Sequence, residues 1–474
     1  MNVLFINPPD PGTFEPVLGL GIPYLAACAR ELDFVSSVKI IDAHVLRYSI
    51  EETVIEAGKY HPDIIGLTVL TSSFNVSLRL AKKLKQINSD SIIIFGGAHA
   101  TALPETVLEN ECVDFVVRNE GEITFCELIK RIHFGESYSG LDGISYRKNG
   151  EIIHEEKRHR ILDLDRLPFP ARDLLPPLNK YHTYSMFPPQ VLVSTPIIAA
   201  RGCPFNCYFC SNKSVWGSLR SVERSPGNIV DEMEHIIDKY RINAFYVSTE
   251  TITLSDETVV GLCNEIEKRK LKIHWITSST VRGITLDMLK VMKSAGCCSI
   301  NYGIETGSER LRERFPKFKG LTNKDIKGVF DLTKKMDIKP TASLLVGLPG
   351  ESEETINESI RLVRDIKPWE FSFNIVVPFP GNDLWYEYVV PSKTNINWDD
   401  AVPVNHDDQS TPKIFFNCSG LSDDELIRLY RKARKETEFS FNMIPTNINR
   451  LLHSRGLGHA LKKILHGIKI YFSK

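Results

Sequence analysis

At 474 residues, with 42% hydrophobic and 25% charged residues, the chain is too long for one ordinary domain and rich enough to bury a sizeable core. A formal net charge of -1 excludes bulk electrostatic attraction to nucleic acid or anionic lipid, so no nucleic-acid partner is expected. No run of about 18 apolar residues occurs, so no transmembrane segment is expected.

The opening MNVLFIN reads as a first strand rather than a cleaved leader. Residues 1–135 then alternate short apolar runs with amphipathic stretches. Strands are expected at 3–6, 38–41, 64–69, 92–95 and 115–117, each β-branched and continuously apolar, as buried parallel strands are. A helix is expected over 77–86, where Leu78, Leu80, Ala81 and Leu84 supply an apolar face. This rhythm predicts an α/β, doubly wound (Rossmann-like) first domain. Ligands on such sheets bind beyond the carboxyl ends of the strands. Those ends carry Thr71, Ser72, Ser73, Gly96, Gly97, His99, Thr101 and Glu120.

Residues 136–190 read as a connector. The segment LDLDRLPFPARDLLPPLNKYH is too rich in proline for helix interior, and GEIIHEEKRHR suits the end of a small hairpin. From 191 to 400 the alternation resumes, with strands expected at 197–199, 244–247, 274–277, 299–302, 339–346 and 371–376, and helices at 229–239 and 286–295. Six such units predict a partial parallel (β/α)6 TIM barrel with its chemistry at the strand C-termini. Residues 401–474 form a helical C-terminal extension, with Ser422 as an N-cap before Asp423, Asp424 and Glu425. The basic stretch 451–474 suits either the solvated face of a terminal helix or peripheral contact with an anionic membrane.

The chemistry concentrates in RGCPFNCYFC, where Cys203, Cys207 and Cys210 fall within eight positions of a ten-cysteine chain. A secreted disulfide framework would spread its thiols more evenly, so a reducing, cytoplasmic setting is expected. Three thiolates on one loop suit an iron–sulfur cube with one iron left open. The alternative is a structural zinc site, which wants a fourth Cys or His that no nearby position supplies.

Here the sequence resembles the radical S-adenosylmethionine (SAM) superfamily, whose signature is CxxxCxxC with an aromatic, here Phe209, before the last Cys. The resemblance runs over about 190–400 and implies a [4Fe–4S] cluster on Cys203, Cys207 and Cys210. SAM would bind the open iron, and one electron would cleave it to a 5′-deoxyadenosyl radical. In FYVSTETITLSDE, Glu250 matches an acid that meets the methionine amino group in relatives, and Thr249 replaces its partner. Glu305 of GIETGSERL matches the ribose-binding carboxylate. Gly347 and Leu348 of LLVGLPGESEET match backbone that approaches the adenine, and Arg282 fits an arginine near the cofactor. VVPFPGNDLW resembles the sixth-strand end.

Upstream, NPPDPGTFEPVLGLGIPYLAACARE, DIIGLTVLTSSF, IIIFGGAHATALPE and DFVVRNEGEITFCELI resemble the cobalamin-binding domain fused to one large class of these enzymes. The resemblance implies cobalamin as a third cofactor. Asp42-Ala43-His44 copies the start of the DxHxxG axial-ligand loop, but Arg47 stands where Gly is needed, so His44 is not expected to ligate cobalt.

The class implies methylation of an unactivated carbon or a phosphinate phosphorus, with cobalamin relaying the methyl group. It also contains oxidative cyclases of the anaerobic tetrapyrrole type, which LSDDELIRLYRKARKETEFS resembles. A reading of another class is a sensor or carrier of the cluster and cobalamin without catalysis. Expected partners are a small-molecule or lipid substrate and an external one-electron donor such as a flavodoxin or ferredoxin.

Overall fold

A computed structural model describes residues 1–9, 16–188, 190–252, 256–392, 396–401 and 414–438. The basic stretch 451–474 lies outside the described residues.

The first sheet contains β1 (Asn2–Asn7), β2 (Ser37–Asp42), β3 (Ile64–Thr68), β4 (Ile92–Gly96), β5 (Phe115–Val117), β6 (Ile144–Lys148) and β7 (Glu151–His154), in the order β2-β1-β3-β4-β5-β6-β7. The first five strands run parallel. Both faces are covered, which explains their continuous apolarity. Leu4, Ile6, Ile65, Leu67, Ile93 and Phe95 pack to one side. Val3, Phe5, Ile64, Ile94 and Phe115 pack to the other. The helix expected over 77–86 spans Phe74–Ile87 and buries Phe74, Leu80, Ala81 and Leu84 against the sheet. The strand order reverses between β1 and β3, the place where open α/β sheets take ligands.

The sheet does not stop at residue 135. Strands β6 and β7 add to it as an antiparallel hairpin, so the second strand drawn from GEIIHEE belongs to the first domain rather than to a connector. Asn149 and Gly150, both at positive φ (53° and 85°), make its tight turn. The physical reason is the exposed edge of β5, which the hairpin covers. The connector proper is a series of short turns at Leu164–Arg166, Arg172–Leu174 and Leu178–Lys180. Its Arg172 is buried and paired with Glu232 at 2.7 Å.

The second sheet holds β8 (Thr195–Ile198), β11 (Ala244–Ser248), β12 (His274–Ser279), β13 (Cys297–Glu305), β14 (Lys339–Val346) and β15 (Glu370–Ile375). All are parallel and adjacent in chain order, with β8 and β15 at the two free edges, so this is an open, partial barrel. Ile197, Phe245, Trp275, Ile300, Tyr302, Leu344 and Phe373 fill its core. A two-stranded ribbon of β9 (Ala200–Arg201) and β10 (Val222–Glu223) brackets the cysteine loop. Helix Asp423–Glu438 packs on helix Glu353–Ile366, with Ser422 capping it as expected. A cavity of about 600 Å³ at Val193, Ile242, Asn243 and His274 lies at the N-terminal ends of β8, β11 and β12, away from the cysteine loop.

Candidate active site

The cysteine loop leaves β9 through Gly202, whose φ of 92° and close approach to the Arg220 carbonyl leave no room for a Cβ. Cys207 is buried, Cys203 partly so, and Cys210 faces solvent; none forms a disulfide. Among the described residues no three His, Cys, Asp or Glu side chains are grouped around a single-ion position. A cube makes no such demand, because each thiolate would bind a different iron. Burial pushes the Cys207 thiol up to about 12, against the pull of the Lys317 ammonium. The Lys317 charge also acts on Cys203 and Cys210. The donors on this loop fit an iron–sulfur cluster, with one cation set to offset the charge of the thiolates.

The end of the sixth barrel strand grips the loop. Asn382 donates from Nδ2 to the Phe209 carbonyl at 2.9 Å and accepts from the Trp385 amide at 2.9 Å. The Leu384 amide donates to the Tyr208 carbonyl at 3.2 Å. Tyr208 stacks on Phe315, with centroids 5.0 Å apart, and Phe209 meets the same ring edge-on at 5.3 Å.

Around this loop the barrel gathers most of the residues expected to hold SAM. Glu305 closes β13 at a φ of 65° and pairs with Lys317 at 2.6 Å. Burial works against the Lys317 ammonium, but Glu305 and the facing thiols outweigh it, and its pKa ends above the ordinary lysine value. A Cβ on Gly303 would lie 2.7 Å from Glu305 Oε1 and 3.3 Å from Lys317 Nζ, so the glycine makes room for this pair. Arg282 donates to the carbonyls of Lys317 (3.2 Å) and Lys319 (2.6 Å), which braces the segment that delivers Lys317. Glu250, just past β11, accepts from the indole N–H of Trp216 at 2.7 Å on Oε1, while its buried Oε2 has no partner among the described residues. An unpartnered buried carboxylate oxygen is costly unless a cation arrives, and the ammonium of a bound methionine moiety fits that need.

Gly347 and Leu348 follow β14 in a turn held by Glu351, whose Oε2 accepts from both of their amides. Gly347 also makes room for Leu426 of the C-terminal helix, which would stand 3.3 Å from a Cβ there. Burial raises Glu351 to about 7, the two amides pulling the other way.

In the first domain, Gly97 adopts a φ of 96° and lies against Val69, where a Cβ would meet backbone at 2.9 Å. Gly96 faces open space apart from the Val117 carbonyl. Thr71 Oγ1 bonds His99 Nδ1 at 3.3 Å, Ser73 caps its own turn on Leu70, and Thr101 Oγ1 accepts from the Asn119 amide at 3.0 Å. Ser72 is partly exposed beside them. His99 is fully buried between Phe74 and Trp398; burial lowers its pKa to about 3, and Nε2 has no partner among the described residues. Leu70, just past the end of β3, is exposed. An open strand end with an exposed apolar side chain suits a flat macrocycle such as a corrin, while the buried His99 packs between its aromatic neighbours.

Asp42 is engaged within the protein. It caps the next short helix through Val45 N and accepts from Tyr181 across the domain boundary at 2.8 Å, while Arg47 takes a φ of 58°. Glu120 also turns from the strand-end edge toward the barrel. Its two oxygens pair with Arg201 and Arg160, each at 3.1 Å, and Arg201 pairs with Glu122 at 2.6 Å. Asn119 donates to the carbonyls of Ser214 (2.8 Å) and Val215 (2.9 Å) in helix Asn212–Trp216, which follows the last cysteine. The two expected cofactor edges are therefore stitched together. Sequence reasoning missed Lys317, Trp216, Glu351 and Trp398, since each meets its partner only through the tertiary fold. Asn382 stood inside a quoted motif without an assigned task.

Two family models match the chain: the Radical SAM superfamily over residues 197–363 and the B12 binding domain over residues 16–129. An uncharacterized methyltransferase of Pyrococcus horikoshii is 34% identical over 84% of this chain and 85% of its own length. The anaerobic magnesium-protoporphyrin IX monomethyl ester cyclase of Rubrivivax gelatinosus is 28% identical over 82% of this chain and 70% of its own. Among solved structures, the radical SAM methyltransferase TsrM of Kitasatospora setae superposes with a TM-score of 0.67 at 18% identity, over 81% of this chain and 74% of that one. The cobalamin-dependent radical enzyme OxsB, with aqua-cobalamin and SAM bound, gives a TM-score of 0.73 at 17% identity, over 99% of this chain and 71% of that one. At those identities the two structures speak to fold.

Proposed function

Since the chain belongs to the radical SAM superfamily and carries its B12 binding domain, a radical enzyme that uses a [4Fe–4S] cluster, SAM and cobalamin, we propose that it is a methyltransferase. Its acceptor would be an unactivated carbon or a phosphinate phosphorus. The observation that carries this reading is the contact between the two cofactor edges: Asn119 of the first domain holds helix Asn212–Trp216 directly behind the cysteine loop. When bound, the cluster supplies the electron that opens SAM, and cobalamin carries a methyl group. The protein contributes placement, which is much of what such enzymes supply.

In this reading the thiols of Cys203, Cys207 and Cys210 hold the cluster, Asn382 fixes the loop, and Glu250 receives the methionine ammonium. Lys317 holds Glu305 beside Gly303 until the ribose hydroxyls take its place. Thr71, Ser72, Ser73, Gly96 and Thr101 line the corrin edge, with His99 buried beside Thr71. The relatives' names support methyl transfer. Among them is the cytidylyl-2-hydroxyethylphosphonate methyltransferase of Streptomyces wedmorensis, 24% identical over 78% of this chain.

The second reading, an oxidative cyclase or rearrangement enzyme, is favoured by the Rubrivivax relative, whose similarity spans both domains. The two differ in stoichiometry. Anaerobic turnover with CD3-labelled SAM and an extract as substrate source should release S-adenosylhomocysteine and 5′-deoxyadenosine in equal amounts and leave the label in a product. 5′-Deoxyadenosine without S-adenosylhomocysteine or transferred label overturns methyl transfer.

A further inference from the structure

Trp216 joins the expected SAM-binding carboxylate to the first domain. Its indole N–H donates to Glu250 Oε1 at 2.7 Å. Two arginines stand over the ring: the guanidinium carbons of Arg160 and Arg201 lie 5.4 and 5.6 Å from its centroid. Each arginine is held by Glu120, and Arg201 is held further by Glu122 and the ring of Tyr24, 5.1 Å away. The helix that ends in Trp216 is fixed by Asn119 through the Ser214 and Val215 carbonyls. The indole therefore has little freedom, and it decides which way Glu250 points.

That orientation matters because the carboxylate has two oxygens with different fates. Oε1 is satisfied by Trp216, whereas Oε2 is buried with no partner among the described residues. Glu250 also lies close enough to Cys203 and Cys210 for its charge to act on both thiols. A carboxylate anchored at one oxygen and open at the other is preorganised for a cation, since its rotamer freedom is already spent.

We propose that Trp216 is a positioning residue: by holding Glu250 Oε1 it aims Oε2 at the α-ammonium of SAM, and it ties that aim to the cobalamin domain through Arg160 and Arg201. The inference rests on the reading of Glu250 as the ammonium contact and deepens it. No assignment of function to Trp216 is needed for that reading to stand.

The test uses the full chain, reconstituted anaerobically, with iron content measured first. Trp216→Phe keeps an aromatic ring near the arginines and removes the N–H donor together with part of the ring. Equilibrium dialysis should show SAM bound on the order of tenfold more weakly, as expected for a lost charge-assisted hydrogen bond. Glu250→Gln should weaken binding at least as much, and the double variant should be no weaker than Glu250→Gln alone, because both act through one contact. Trp216→His, which returns an N–H donor, should recover part of the loss. The deamino analogue of SAM, lacking the α-ammonium, should bind wild type and Trp216→Phe equally.

Additive losses, or an equal loss for the deamino analogue, would mean that Trp216 only supports the fold and would overturn the proposal. Unchanged SAM binding in Trp216→Phe alongside weak binding in Glu250→Gln overturns it while leaving the ammonium contact intact. Unchanged binding in Glu250→Gln removes both.

Discussion

Glu351 shows how a single buried acid ties the fold to pH. Its Oε2 accepts the amides of Gly347 and Leu348, and burial raises its pKa from 4.5 to about 7. A folded carboxyl that holds its proton more tightly than the unfolded one stabilises the protein most below the unfolded pKa. That contribution is lost as pH climbs from 4.5 to about 7 and is absent above it. The amount is on the order of 1–3 kcal/mol. Glu351→Gln keeps an acceptor but has no proton to lose. Urea unfolding at about pH 5 and about pH 8 should therefore show a smaller difference for the variant than for wild type. Equal differences would show that Glu351 contributes no such term. Nothing in LLVGLPGESEET by itself distinguishes this acid from the solvated ones beside it; only the turn that buries it does.

At the scale of elements, the strands were readable because the βα rhythm is local. Val3, Phe5, Leu4 and Ile6 advertise a strand buried on both faces, and the structure uses all four in that way. The hairpin was misplaced for a physical reason: its composition describes short strands, but their docking on β5 depends on an edge formed earlier in the chain, beyond the intervening helix Gly121–Phe134. The cysteine loop had a sequence signature, while the clamp that shapes it did not. Asn382 reaches back across 173 residues to the Phe209 carbonyl. Asn382→Ala would leave that carbonyl and the Trp385 amide unsatisfied at a buried position, costing about 1–3 kcal/mol. The expected result is a lower urea midpoint together with less iron retained per chain after desalting. Full iron retention with wild-type stability would show that the loop holds its shape without the clamp.

Across the whole molecule, two α/β sheets meet at a network of charges that composition cannot reveal. Arg201 is buried, and so are both of its partners, Glu120 and Glu122. Such a cluster is a poor source of net stability but a demanding one to break, because removing the cation leaves two desolvated carboxylates. Arg201→Met should cost about 3–5 kcal/mol in chemical denaturation. A loss under about 1 kcal/mol would show the interface to be wet and forgiving. The segment that reaches back with Trp398 adds a second tie, stacking on Trp385 and meeting His99 edge-on. The resemblance named both domains from their motifs. It was silent on how closely the domains join, since Asn119, Arg160, Arg201 and Trp216 come from four separated segments. No helix among the described residues is long and apolar enough to cross a membrane.

A three-thiol loop that seats a redox cluster with SAM beside it makes 5′-deoxyadenosine, and quantifying that product is the direct measure of its role. The anaerobically reconstituted, reduced full chain should bind about four irons and release 5′-deoxyadenosine from SAM, while Cys207→Ala releases none. Wild-type chain that carries stoichiometric zinc, or that holds iron yet releases no more 5′-deoxyadenosine than Cys207→Ala, would contradict it.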